Sequence, residues 1–101
     1  MTTIELATFR VSEDAVEALV AERPRMIEAL RVGHPALEQA YLTRMDDGSF
    51  CDVIVWATRE AALVAAAEAA AIPAVRAWFA HITESGGIRH AEVLDSYVPG
   101  G

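Results

Sequence analysis

The sequence predicts one small α+β domain whose elements follow the order strand–helix–strand–strand–helix–strand. Residues 37–45 and 50–57 are β-prone and flank Asp46-Asp-Gly-Ser49, which is a strong hairpin signal. Two other segments place apolar residues at helical spacing, and a β-prone segment lies near each end of the chain. A chain of 101 residues has the size of one domain, so we expect residues 1–98 to form it and residues 99–101 to be a flexible tail.

The first half of the chain provides a strand and a long helix. Residues 3–11 are β-prone and contain no Gly or Pro, which predicts the first strand. Asp14 and Glu17 resemble a capping box at the start of the helix. Pro24 lies inside the apolar pattern, so a kink or a break is expected there. Gly33-His-Pro35 ends the helix.

The second half begins with the hairpin and continues into a helical region. Thr58 is the predicted N-cap of the second helix. The alanine-rich run 61–71 has small side chains and can lie close to a sheet. Pro73 fits the first turn of a further helical segment, which Ser85-Gly-Gly87 is expected to end. Residues 88–97 form the predicted last strand.

The register of the hairpin decides which side chains face the helices. A two- or four-residue loop pairs Leu42 with Val53 and Thr43 with Asp52. A three-residue loop without a bulge would put Asp52 on the apolar face, so we reject it. The side predicted to lie beneath the helices carries Ala7, Phe9, Leu42, Val53, Val55, Ala91 and Val93. The opposite side carries Leu6, Thr8, Arg10, Tyr41, Thr43, Asp52, Ile54, Trp56, Ile88, His90, Glu92 and Leu94. This mixed face is expected to pack on a second copy of the chain and to enclose a partly polar cavity.

The composition excludes several classes of function. Fifteen acids against eight bases give a net charge of −7, so nucleic acid and anionic membrane surfaces are not expected partners. The single Cys51 cannot form an internal disulfide and is expected to be a small buried hydrophobe. The three His residues lack metal-ligand spacing, so a metal is not expected. No Gly-rich phosphate loop is present, and no bound cofactor is expected. With no signal-peptide pattern and no apolar run long enough to span a bilayer, we expect a cytoplasmic protein.

Two short motifs carry a family resemblance. Val53-Ile-Val-Trp56 followed by Ala-Thr58-Arg-Glu60-Ala resembles the dimeric α+β barrel superfamily, most closely its antibiotic-biosynthesis-monooxygenase-like branch. There a strand ending in Trp commonly runs into a Ser/Thr-x-Glu-Ala helix start. The resemblance covers nearly the whole chain. It implies a ferredoxin-like fold, with a four-stranded antiparallel sheet and helices on one face, and a barrel formed by two subunits.

The same resemblance implies a range of activities: cofactor-independent oxygenation of phenolic polyketides, haem degradation and isomerisation of small molecules. Its oxygenase and haem-degrading members use an Asn on the first strand, and this chain contains no Asn. Their second-helix Trp falls here in the alanine run around Ala65 and Ala66. That catalytic set is therefore not carried over to this chain.

The mixed face supplies the candidate catalytic residues. His90 is a candidate general base, oriented by Asp52 or Glu92, because imidazole titrates near the pH at which proton abstraction is needed. The alternative is that His90 lies solvated near an edge strand. Trp56 and Tyr41 could stack a flat aromatic ligand or could fill the dimer interface, and the two roles are compatible.

Arg10 and Thr8 complete the candidate ligand-binding residues. Arg10 could pair with an anionic substrate group, or with an acid across the strands such as Glu92. Two functions follow from these residues. One is a monooxygenase-like or isomerase-like enzyme without a bound cofactor that binds a small aromatic or apolar oxygen-bearing molecule. The other is a non-catalytic homodimeric module that binds a ligand or only associates.

Overall fold

A computed structural model of the protein describes residues 1–100. In this range it has four strands and three helices. The strands are β1 (Thr3–Val11), β2 (Leu37–Arg44), β3 (Phe50–Trp56) and β4 (Ile82–Glu92). The helices are α1 (Val16–Gly33), α2 (Arg59–Glu68) and α3 (Pro73–Phe79). The sheet has the order β2-β3-β1-β4 with antiparallel neighbours, which is the ferredoxin-like α+β arrangement and confirms the predicted fold class.

Helix α1 runs through Pro24 without the break that was one of the two predicted outcomes. Proline removes the hydrogen bond to the carbonyl four residues earlier, which belongs to Val20. Both residues are exposed, so water can satisfy that carbonyl. The predicted capping box does not form, since a 3₁₀ turn at Glu13–Ala15 leads into the helix and no side chain caps either segment. The buried stripe of α1 consists of Leu19, Arg23, Met26 and Leu30.

The helical region after the hairpin follows local signals closely. Thr58 caps α2 as predicted, because its hydroxyl oxygen accepts a 3.1 Å hydrogen bond from the Ala61 N–H. A 3₁₀ turn at Ala69–Ala71 separates α2 from α3, and Pro73 occupies the first turn of α3 as predicted. Within residues 1–100 no single helix is long and apolar enough to cross a membrane. The helical segments 59–71 and 73–79 would together be long and apolar enough, but they are bent by 83° relative to each other.

Strand β4 begins six residues earlier than predicted. Ser85-Gly-Gly87 lies inside the strand and does not end a helix. The pairing of β4 with β1 shifts register between Ala7 and Phe9, beside these glycines. A Cβ on Gly86 would lie 2.2 Å from the Thr8 hydroxyl oxygen, and Gly87 has a φ of +92°. The glycines therefore permit an irregularity within an edge strand.

The hairpin register differs by one residue from the prediction. The loop has three residues, 46–48, closed by a 2.7 Å bond from the Met45 N–H to the Ser49 carbonyl, with Gly48 at a φ of +86°. Leu42 consequently lies opposite Asp52. A left-handed glycine provides the bulge that the rejected three-residue loop lacked. Because side chains alternate along a strand, this shift moves every β3 residue to the other face of the sheet.

Because the two faces of β3 are exchanged, the core differs from the predicted one. The helix-facing side carries Thr3, Glu5, Ala7, Phe9, Leu42, Phe50, Asp52, Ile54, Trp56, Ile88, His90 and Glu92. The open side carries Ile4, Leu6, Tyr41, Thr43, Cys51, Val53, Val55, Arg89 and Ala91. Ala7, Phe9 and Leu42 are placed as predicted, whereas Val53, Val55 and Ala91 face away from the helices. Cys51 is buried, as expected for a small hydrophobe.

Candidate functional site

A cavity of about 420 Å³ lies between the sheet and the helices of the same chain. The predicted cavity lay between two copies, and the one-residue shift in the hairpin explains the difference. Small-molecule sites typically measure about 300–1,000 Å³, so the cavity is large enough for a ligand. The residues from the sheet that line it include Glu5, Ala7, Phe9, Asp52, Ile54 and Trp56. The residues from the helices include Met26, Leu30, Ala65, Ala69, Val75 and Trp78.

The cavity walls are apolar and partly aromatic. Phe9 and Trp78 meet edge to face with their ring centroids 5.7 Å apart, which holds both rings in place at one end. At the roof, Ala65 and Ala66 occupy the positions where the resemblance implies a Trp. A methyl side chain reaches only a short distance toward the sheet, so α2 leaves space above Ile54 and Trp56. The alanine run thus makes the cavity.

Asp52 on the cavity wall forms an ion pair with Arg23 of α1, which does not line the cavity. Arg23 Nη1 and Nη2 each donate to one oxygen of Asp52, and both side chains are nearly fully buried. Burial raises the pKa of Asp52 above its ordinary value, and the guanidinium of Arg23 opposes this shift by hydrogen bonding and by its charge. The guanidinium also lies over the Trp78 ring, 5.3 Å from the centroid. The three-residue loop was rejected because it puts the charge of Asp52 on the apolar face. Arg23 neutralises that charge, so the rejected register is possible.

Arg23 was missed, although the sequence contains a signal for it. It lies on the apolar stripe of α1, four residues after Leu19 and three before Met26. A charged side chain on a buried stripe requires a buried partner, since an unpaired charge is very costly to remove from water. Asp52, the one acid within the apolar third strand, was the available partner.

Glu5 is a second buried acid on the cavity wall. Its side chain is only 10% exposed. Burial and, to a smaller extent, the negative charge of Asp52 raise the pKa of Glu5 to about 7, and the nearby N–H of Trp56 opposes this shift. A carboxyl group with this pKa can both accept and donate a proton at neutral pH. The sequence pattern could have identified Glu5, because side chains two residues apart on a strand point to the same face of the sheet. Ala7 and Phe9 were correctly assigned to the helix-facing side, and Glu5 follows the same alternation.

Two buried nitrogen atoms near Glu5 have no hydrogen-bond partner among the described residues: Nε1 of Trp56 and Nε2 of His90. Nε2 of His90 lies 3.7 Å from Oε1 of Glu5, which is too far for a hydrogen bond. Trp56 is 1% exposed and lines the cavity. An orphaned buried donor of this kind calls for an explanation, and a ligand oxygen would supply the missing acceptor.

The structure brings together only some of the predicted site residues. Asp52 and Trp56 line the cavity, and Thr8 borders it. His90 lies behind Glu5 and does not line the cavity. Glu92, its neighbour on the predicted face, is exposed and lies opposite Thr3 in the pairing of β4 with β1. The carboxylate that His90 approaches is Glu5, so neither Asp52 nor Glu92 has the predicted place beside the imidazole.

Tyr41 and Arg10 lie away from the cavity. Tyr41 is on the open side of the sheet, 54% exposed, and its hydroxyl donates to the Gln39 side chain. The predicted face that joined Tyr41 with Trp56 does not exist, because the register shift separates them. Arg10 forms an exposed ion pair with Asp47 at 3.1 Å and does not pair with Glu92. Within residues 1–100 no group of three or more His, Cys, Asp or Glu side chains is placed to hold a metal ion.

Comparisons with known proteins establish the fold. No protein-family model and no curated protein matches the sequence. SnoaB, a cofactor-independent oxygenase from Streptomyces nogalater, is 20% identical with a TM-score of 0.65, covering 97% of each chain. Rv0793 from Mycobacterium tuberculosis is 20% identical with a TM-score of 0.66, covering 97% of this chain and all of the other. A structure described as an antibiotic biosynthesis monooxygenase is 18% identical with a TM-score of 0.68, covering 94% of this chain and all of the other. The chain therefore has the fold of the antibiotic biosynthesis monooxygenases, which confirms the fold that the resemblance implies.

Proposed function

We propose that the protein binds a small, flat, largely apolar molecule bearing oxygen in this cavity and oxidises it with O₂ without a bound cofactor. The observation that carries the proposal is a ligand-sized, mostly apolar cavity whose wall includes the buried carboxyl group of Glu5, with a pKa of about 7. An oxygenation without a cofactor needs a base that can convert the substrate into an anion. The likeness in fold to SnoaB, which is described as a cofactor-independent oxygenase, supports the reaction class.

The proposed chemistry begins with a proton transfer to Glu5. The carboxylate takes a proton from an activated CH₂ group of the substrate, and the resulting carbanion gives its electron pair to O₂. The peroxide anion takes the proton back from Glu5, and the hydroperoxide then loses water to leave a ketone. The sum is CH₂ + O₂ → C=O + H₂O, so O₂ is the only oxidant. The group in contact with the substrate is Glu5, in place of the predicted His90.

Neighbouring residues have supporting roles in this proposal. Asp52 keeps the proton affinity of Glu5 high through its negative charge, and Arg23 fixes the position of Asp52. His90 lies behind Glu5 as a positioning residue. Trp56 supplies an aromatic wall, and its buried N–H has no hydrogen-bond partner among the described residues.

Filling the cavity should abolish binding. Ala65→Leu places a larger side chain in the space above the sheet, and we expect the affinity for an aromatic probe such as 2-naphthol to fall at least about tenfold, the effect of losing roughly 1.4 kcal/mol. Quenching of tryptophan fluorescence reports binding, because Trp56 and Trp78 line the cavity. Ala67→Leu is the control, since Ala67 is exposed on the same helix and does not line the cavity. Equal losses in both variants would place the ligand elsewhere.

The open side of the sheet favours the second candidate function, a homodimeric module, and is compatible with the first. Its central strands present Ile4, Leu6, Val53 and Val55, and no helix within residues 1–100 covers them. An antiparallel sheet with an apolar outer face typically buries that face against another surface. A second copy of the chain presents the same face, so a two-fold axis would cover both. We therefore propose a homodimer packed through this side.

A charge on the open side should separate the subunits. Val53→Glu places a carboxylate at the centre of the proposed interface, and we expect a dimer mass for the wild type and a monomer mass for this variant. Analytical ultracentrifugation distinguishes the two. Val32→Glu is the matched control because Val32 is exposed on α1, away from the sheet. A monomeric wild type, or a dimer that tolerates Val53→Glu, would contradict the proposed interface.

A further inference from the structure

The lining of the cavity carries acids and no base. Glu5 and Asp52 lie on its wall and Glu84 lies at its edge strand, whereas within residues 1–100 no Arg or His side chain lines it. Arg23 compensates Asp52 from α1. The groups that face Glu5 are Asp52 and Trp56 of β3 and, from behind, His90 of β4. A bound molecule therefore meets negative charge without a cation on the surface that it touches.

Among the cavity-lining side chains of residues 1–100, one buried polar atom lacks a hydrogen-bond partner, and that atom is a donor. The Trp56 indole N–H is buried and unpartnered, and it lies beside Glu5. An indole nitrogen can only donate, so its partner has to be an acceptor such as a carbonyl or hydroxyl oxygen. The rest of the wall around it is apolar, with Ile54 and Leu30 among its residues.

We propose that the cavity selects neutral aromatic ligands against anionic ones, and that it holds the neutral ligand through an oxygen that accepts a hydrogen bond from Trp56 Nε1. An anion entering the cavity would lose its hydration, find no cation on the wall and be repelled by the acids. A neutral phenol or ketone loses little hydration and gains the Trp56 donor. The inference rests on the proposed function and narrows its substrate class to uncharged oxygen-bearing rings, excluding aromatic carboxylates.

A pair of probes with the same ring tests the charge selection. 2-Naphthol is neutral at pH 8 and 2-naphthoate is an anion, so the ratio of their affinities isolates the charge. We expect the wild type to bind 2-naphthol at least about tenfold more tightly than 2-naphthoate, since like charges a few ångströms apart repel each other strongly in a partly shielded site. Glu5→Gln should reduce this ratio at least about threefold by removing the repulsion while conserving shape.

Controls keep this test decisive. Glu28→Gln changes the net charge equally at an exposed position of α1, so it should leave the ratio unchanged. If Glu5→Gln does not fold, the wild type provides a second measurement: the ratio should widen from pH 6 to pH 8, because Glu5 loses its proton through about pH 7. Equal wild-type affinities for the two probes would overturn the inference. An affinity ratio that changes neither with Glu5→Gln nor with pH would also overturn it. Failure of 2-naphthol to bind at all would instead overturn the proposed function.

The Trp56 hydrogen bond has its own test. Trp56→Phe keeps an aromatic ring and removes the N–H, so we expect the affinity for 2-naphthol to fall about threefold to tenfold, the effect of one hydrogen bond. Naphthalene has no oxygen and cannot accept this hydrogen bond. Its affinity should therefore fall less than that of 2-naphthol, and only because the phenyl ring offers less contact area than the indole ring. An equal loss for the two probes would show that Trp56 contributes only its ring and would overturn this assignment.

Discussion

Arg23→Met is expected to lower the free energy of unfolding by about 3–5 kcal/mol, because it leaves the Asp52 carboxylate buried without its partner. Arg23 and Asp52 are 8% and 5% exposed, so water cannot replace the guanidinium. For a domain with a total stability of about 5–15 kcal/mol, this loss is large. Urea unfolding monitored by circular dichroism measures it. The variant also loses the contact of the guanidinium with Trp78, which acts in the same direction.

Two further variants identify the cause of that loss. Arg10→Met breaks the exposed pair with Asp47, in which the side chains are 46% and 64% exposed, and should lower the stability far less than Arg23→Met does. Combining Arg23→Met with Asp52→Leu removes both charges, and such replacements are often neutral or stabilising, so most of the stability should return. A double variant as unstable as Arg23→Met would show that packing, and not the unpaired carboxylate, causes the loss.

Glu5→Gln is expected to lower kcat/KM at least about 100-fold for a tricyclic probe with an acidic CH₂ group, such as anthrone, because an amide cannot take up the proton. The formation of the quinone product, followed by its absorbance and corrected for spontaneous oxidation, measures the rate. In the wild type kcat/KM should rise with pH through about 7, since Glu5 acts as a base only after losing its proton. The residual rate of Glu5→Gln should not follow this profile.

His90→Gln separates the two candidate bases. His90 does not line the cavity, and its Nε2 lies 3.7 Å from Glu5, so its replacement should reduce kcat/KM less than Glu5→Gln does. The opposite order would restore His90 as the group that abstracts the proton. A wild type that binds the probe but does not turn it over would favour the non-catalytic module.

The sequence by itself determined the elements and their order. Thr58 at an N-cap, Pro73 in a first turn and the β-prone runs around Gly48 act through neighbouring residues, so their effects can be predicted from a short window. The alternation of side chains along β1 placed Phe9 beneath the helices, and the same alternation places Glu5 there.

Only the tertiary structure decided which face of β3 is buried and therefore where the cavity lies. One glycine with positive φ shifts the hairpin by a residue, and the balance between the two registers depends on Asp52, whose burial is costly unless a cation meets it. That cation, Arg23, lies 29 residues away along the chain and reaches Asp52 only after α1 has packed on the sheet. The predicted start of β4 was wrong for a related reason, since a Gly-Gly pair suits both a helix end and a strand irregularity until β1 pairs beside it. Short-range patterns cannot weigh contacts that form only in the folded chain.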